Sequence, residues 1–161
     1  MKWFYRIFIG FCLVITIFSL VHCQEVVSDY SITSMTASLF YNQINTFSQN
    51  ILDNPNFILW NTIIGEGSAE GDSSQTLVAI EITGEPGAYQ YERTIEFIAR
   101  TEEKVIQSLS SSIGILSETG KYYITYLLHD TGCVPIEISV SIKGQKTRSM
   151  VKKVIDFRCG E

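Results

Sequence analysis

A histidine beside an aspartate, three acids crowded into one loop and a basic run near the end of the chain are the residues with chemical reach. His129-Asp130 precedes Thr131-Gly132 and is the one histidine–acid pair; paired carboxylates could also do acid–base work, but nothing in the sequence brings two together, so a hydrolase would need His129 as its catalytic group. No nucleophile elbow, HExxH helix or phosphate-cradling glycine loop accompanies it, and no cofactor is implied. Glu66, Glu70 and Asp72 offer oxygens that suit a hard cation such as calcium, but their spacing fits no EF-hand loop. A solvated loop is the simpler expectation. Residues 66–103 hold nine acidic and two basic side chains, whereas residues 143–158 hold six basic and one acidic. Within that second stretch Lys143, Lys146 and Arg148 cluster at a hairpin tip. Such a tip suits an acidic glycan, a phosphate or an acidic protein, and the same charges also guard an edge strand. Trp60, Tyr122 and Tyr126 could line an apolar pocket, although core filling accounts for most of the aromatic residues.

Where these residues work depends on the first twenty-three. Lys2 and Arg6 flank the apolar run Ile7 to Val21, and medium side chains at Val21 and Cys23 meet the needs of a signal peptidase. Residues 1–23 are therefore expected to be a signal peptide, with Gln24 as the first mature residue and the protein secreted. An uncleaved anchor would need roughly 20 apolar residues, more than this run supplies. A lipoprotein signal would place a small residue where bulky His22 stands. Cleavage removes two of the chain's twelve basic residues and leaves ten against seventeen acids, a net charge near −7. That balance disfavours nucleic acid and anionic membranes as partners. No later run is long and apolar enough to span a bilayer.

Of four cysteines, Cys12 and Cys23 fall in the signal segment. Cys133 and Cys159 remain, allow one pairing, and would close a loop stabilising by roughly 3 kcal/mol. With His129 the only histidine left, a Cys/His zinc site is not expected, and no other metal site is. There is no Asn-x-Ser/Thr sequon.

The elements that must position these groups read as follows. Residues 24–33 are a lead-in. Phe40, Ile44, Phe47 and Ile51 recur at spacings of four and three, which predicts an amphipathic helix over 34–52, capped by Thr33 or Ser34 and stopped by Asp53-Asn54-Pro55. It would pack on the domain flank or serve as a handle for a partner. From residue 56 the period becomes two. Strands are expected at 57–64, 75–83, 91–100, 105–109, 113–116, 121–129, 135–142 and 150–159. Pro86 and Gly87 suit the centre of a turn over 84–87. Matching the apolar faces of the last two strands puts Ile136 near Phe157 and Ile138 near Ile155. Val134 is expected on the same face as Ile136.

Glu118-Thr119-Gly120-Lys121-Tyr122 resembles the acid-x-Gly-x-Tyr stretch that opens the sixth strand of immunoglobulin-like domains, with Ile124 where the cysteine would stand. The resemblance covers about ten residues and implies a fold only. The chain is expected to be mainly β, an antiparallel immunoglobulin-like sandwich of seven to eight strands with one N-terminal helix. It divides into the signal peptide at 1–23, a lead-in and helix at 24–55, and a sandwich at 56–161. The expected activity is non-catalytic recognition of an extracellular or cell-surface protein through loops, namely Glu66–Asp72 and Lys143–Arg148, or through an edge strand. A carrier of a small apolar ligand near Trp60, Tyr122 and Tyr126 is the alternative.

Overall fold

The computed structural model describes residues 28–54, 57, 69–132 and 134–157. Within them lie eight strands: β1 Ser31–Tyr41, β2 Thr46–Phe47, β3 Gln75–Thr83, β4 Thr94–Arg100, β5 Val105–Ser112, β6 Lys121–His129, β7 Ile136–Lys143 and β8 Ser149–Ile155. They form two antiparallel four-stranded sheets, ordered β2-β1-β3-β6 and β5-β4-β7-β8. Strict alternation dictates this. Val78, Ile80 and Ile82 of β3 face Ile95, Phe97 and Ala99 of β4 and Ile136, Ile138, Val140 and Ile142 of β7 in one core cluster. The ring of Phe97 stacks on Tyr126 at 4.1 Å and joins the two sheets. The chain is thus mainly β and folds as an antiparallel sandwich. Among the described residues no helix is long and apolar enough to cross a membrane.

The helix expected over 34–52 is absent. Residues 31–41 form β1, paired along its length with β3, and the only helical piece here is a single 3-10 turn, Ile51–Asp53. Met35, Ala37, Leu39 and Tyr41 alternate inward and are buried, while Ser34, Thr36 and Ser38 fill the outer face. Ser and Thr lose little in a strand and gain nothing inside a helix, so the inward set decides the outcome. The helical spacing was a coincidence of two outward phenylalanines. Phe40 pairs with Phe47 across β1 and β2, their rings 5.1 Å apart, and Ile44 lies exposed in the turn between them.

The expected strand at 57–64 lies outside the described residues except for Phe57, which packs on the core. The candidates at 105–109 and 113–116 resolve into one strand, β5, followed by a connection in which Ile113 and Leu116 are buried. The final hairpin keeps the expected faces but shifts by two residues. Ile136 sits opposite Ile155, not Phe157, and Ile138 sits opposite Lys153. A two-residue slip preserves which side chains point inward, so face matching alone could not fix it. Val134 precedes β7 and is half exposed. The turn behaves as its residues require: Ala88 N donates to Glu85 O at 3.1 Å, and Gly87 takes the left-handed φ of +71°.

Arg93 ties the start of the described chain to this frame. It is 5% exposed, donates to Ser28 O at 2.8 Å and to Gln145 Oε1 at 3.3 Å, and lies 4.6 Å from the Tyr30 ring centroid. Asp29 approaches it at 3.6 Å. Gln145 in turn bonds both backbone groups of Tyr30, and Thr147 N donates to Asp29 Oδ2. Hydrogen bonding from the Thr147 side chain, then from its backbone, followed by the Arg93 charge, holds the Asp29 carboxyl below its usual range.

Candidate functional site: the open side of the sandwich

The two sheets do not match in width. Phe97 of β4 meets Tyr126 of β6, so β6 lies over β4 and the outermost strand β5 projects past it. At the opposite side β1 bonds to β8, Ile32 N donating to Ser149 Oγ at 2.9 Å. The strand beyond β1 is β2, two residues long. The first sheet therefore has three long strands against four, and among the described residues no strand covers the inner face of β5.

Side chains along that face record the gap. Gln107, Leu109 and Ser111 sit opposite Ala99, Phe97 and Ile95, which are fully buried. They should be equally buried, yet Leu109 is 42% exposed and the other two are half-buried. Across the seam, Tyr122 and Ile124 of β6 are half-buried although their partners Ile82 and Ile80 are fully enclosed. Among the described residues two polar atoms here are buried without a hydrogen-bond partner, Gln107 Oε1 and Tyr126 Oη. The Tyr126 hydroxyl reaches toward Ser111 of β5 without a full hydrogen bond, and burial raises its pKa. Leaving such atoms dry and unpaired costs roughly 1–3 kcal/mol each.

At one end the seam widens into a cleft of about 570 Å³, with Lys104, Val105 and Ile106 on one wall and His129, Asp130 and Thr131 on the other. Val105 is 57% exposed, and Leu127, 36% exposed, lies on the outer face of β6 opposite Leu77. Among the described residues both flanking strands have a free edge, and both edges are of low charge. β5 carries no charged residue, and β6 has only Lys121 at its start and His129 at its end. The other long edge, β8, is guarded: Lys152 and Lys153 lie on it, and Lys153 sits on the core-facing side opposite Ile138.

On the outer face beside the β6 edge, Glu81 accepts from Lys121 Nζ at 2.9 Å, from Thr33 Oγ1 at 2.9 Å and from the Tyr123 hydroxyl. Those donors, Tyr123 first, pull its pKa down to about 2.

The residues singled out by sequence fall elsewhere or only touch this side. His129 stands exposed at the cleft rim, and among the described residues no side-chain hydrogen bond or ion pair orients it; Asp130 beside it adopts a φ of +53°. Tyr126 is 5% exposed and stacked on Phe97, so it fills the inter-sheet space, while Tyr122 lies against Gly114. Trp60, Glu66, Cys133 and Cys159 lie outside the described residues. Glu70 N donates to Tyr41 Oη, and Asp72 is 3.5 Å from Gln43 Nε2. Among the described residues no three His, Cys, Asp or Glu side chains converge as metal ligands would.

At the hairpin tip Lys143 pairs with Glu96 at 3.0 Å, and Arg148 lies against Met150. Lys146 is exposed. Gln145 and Thr147 are spent on holding residues 29 and 30. The open side itself left no mark in the sequence beyond the run of uncharged residues in β5. Its existence depends on which strands stack, which no local pattern reports.

No protein-family model matches the chain, and no curated protein does. Among solved structures, a chain from Bacteroides fragilis described as a "putative beta-galactosidase" is similar over 51% of this chain and 14% of its own length. The TM-score is 0.39 and the identity 16%. The chain thus spans a small part of that protein, and a likeness at this level is no guide to activity.

Proposed function

We propose that this is a secreted, non-catalytic binding module that recognises an extracellular or cell-surface protein at the open side between β5 and β6. One observation carries the reading: among the described residues β5 and β6 form adjacent free edges of low charge with part-exposed Leu109 and Val105, while β8 carries Lys152 and Lys153. Soluble proteins normally blunt such edges, so an unguarded pair marks a contact surface. The apolar leader at 1–23 supports export.

The strand order supports an immunoglobulin-like arrangement. Setting aside the short β2, the first, second and fifth strands share one sheet, and the fourth, third, sixth and seventh share the other. Immunoglobulin constant-type domains differ only in carrying the fourth strand on the first sheet. The Glu118–Tyr122 stretch opens the fifth of these strands here, where the immunoglobulin motif opens the sixth, so the strand order and not that stretch is what favours the family. A Cys133–Cys159 bridge remains part of the proposal. A mass beginning at Gln24 and short by two hydrogens would support both the cleavage and the bridge.

The test of the binding reading uses the secreted chain as bait on extracellular proteins and intact cells. Leu109→Lys, shown to fold by its thermal transition, should abolish binding. Reversing charge at Lys146 and Arg148 should leave it unchanged. The opposite pattern, loss at the tip and none at the open side, would move the contact to the hairpin.

A further inference from the structure

We propose that the open side binds by strand addition: an extended, uncharged peptide segment of the partner pairs with the free edge of β6 and lies over the inner face of β5. This rests on the binding reading above and names its mode and the chemistry of its ligand.

Three observations converge on this slot. The first is space. β6 overlies β4, so the next position in that sheet, one strand spacing of roughly 4.8 Å further out, lies over β5. A strand there would give the first sheet the fourth long member it lacks. The second is the backbone. In an antiparallel edge, alternate residues turn both N–H and C=O away from their one partner. β6 is nine residues long and among the described residues pairs only with β3, so these groups form a template for an incoming strand.

The third is the side chains, and it identifies the ligand. An added strand turns every second residue inward. Those residues meet Leu109 and Ile124, which ask for small or β-branched apolar groups. They also pass Gln107 and Ser111, half-buried polar side chains on the same face as Leu109. An amide and a hydroxyl at the border of the slot favour hydroxyl- or amide-bearing residues such as threonine, serine or asparagine. A charged inward residue would be desolvated with no counter-charge, because neither β5 nor the inner face of β6 carries one. The ligand is thus a run in which apolar and hydroxyl-bearing residues alternate, with charges confined to its ends.

The probe is a fluorescein-labelled, end-capped nonapeptide alternating threonine and valine, read by fluorescence anisotropy against the mature chain. Saturable binding is expected. Leu109→Lys should weaken it by at least about tenfold by placing an unpaired charge in the slot. The same peptide with its central threonine replaced by proline should not bind, because proline lacks the donor and the extended pairing geometry. Gln107→Leu removes the amide at the border of the slot and should shift preference toward an all-valine peptide. No saturable binding, or binding indifferent to Leu109→Lys and to proline, overturns strand addition. If Leu109→Lys still abolishes capture of extracellular proteins in that case, the surface stands and only its mode is wrong. If the wild type instead runs at twice its mass and Leu109→Lys runs as a monomer, the slot is filled by a second copy and the proposed ligand chemistry is overturned.

Discussion

Arg93 offers the sharpest quantitative prediction about the frame. Arg93→Met keeps most of the side chain's length and its stem packing while deleting the guanidinium. The change removes a charge-assisted bond to Ser28 O at 2.8 Å and one to Gln145 Oε1 at 3.3 Å. Bonds to charged groups contribute about 1.5–3 kcal/mol each, but the longer one falls at or below the low end. The cation–π contact with Tyr30, 4.6 Å from the centroid, adds about 0.5–2 kcal/mol. The Asp29 pair at 3.6 Å contributes little, since that carboxylate is 28% exposed and keeps its bond from Thr147. Deleting a buried cation also recovers its desolvation cost, which cancels part of the loss. The net expectation is a loss of about 3 kcal/mol. With a urea m-value of about 1–3 kcal/mol/M, the midpoint should fall by roughly 1–3 M. Equilibrium urea unfolding followed by tyrosine fluorescence gives this directly. Arg93→Lys should recover less than half, because a single ammonium cannot reach both carbonyl oxygens and stack on Tyr30. A loss below about 1 kcal/mol, or full recovery with lysine, would refute the reasoning that the guanidinium fork holds residues 28–30 in place.

Gly120→Ala should destabilise by at least about 2 kcal/mol in thermal unfolding, because φ there is +72° and an added Cβ would lie 2.4 Å from Gly84 O. Phe97→Ala should cost about 3–5 kcal/mol by the same measurement, since the ring is fully buried and stacked on Tyr126. Glu81 titrates near 2 when folded against an ordinary 4.5, so its contribution is complete above about pH 4.5 and is lost as pH falls toward 2. Glu81→Gln should therefore flatten the acid limb of the stability–pH curve in that window and leave the neutral region's slope unchanged.

The strands that carry the core were legible because each alternates without interruption. β3 shows buried residues at every second position, and β4 and β7 do the same. β1 was not. Its inward set includes the small Ala37 and the pliable Met35, and its register shifts between Ile32 and Ser34, which breaks the alternation at its start. Outward Phe40 and Phe47 then imposed a false helical spacing. The second half of β5 was missed because Ser110, Ser111 and Ser112 carry little strand preference, and pairing with Thr94 and Ile95 overrides it.

The chemistry-bearing residues gave a poorer guide to the site. Charges attract notice in a sequence, yet Lys143 is answered by Glu96, and Lys152 by Glu137 at 3.0 Å. The open side is defined by what is missing, a charge on β5 and, among the described residues, a strand above it. The first of these absences is visible in the sequence, but the second appears only once the sheets are stacked.

Amide hydrogen exchange across the described strands, with and without saturating threonine–valine peptide, tests strand addition most directly. Added protection should appear at alternate amides of Lys121–His129 and at the β5 residues beneath the slot, with the β7–β8 hairpin unchanged. Protection confined to residues 143–148, or none along β6 at saturation, would contradict the account.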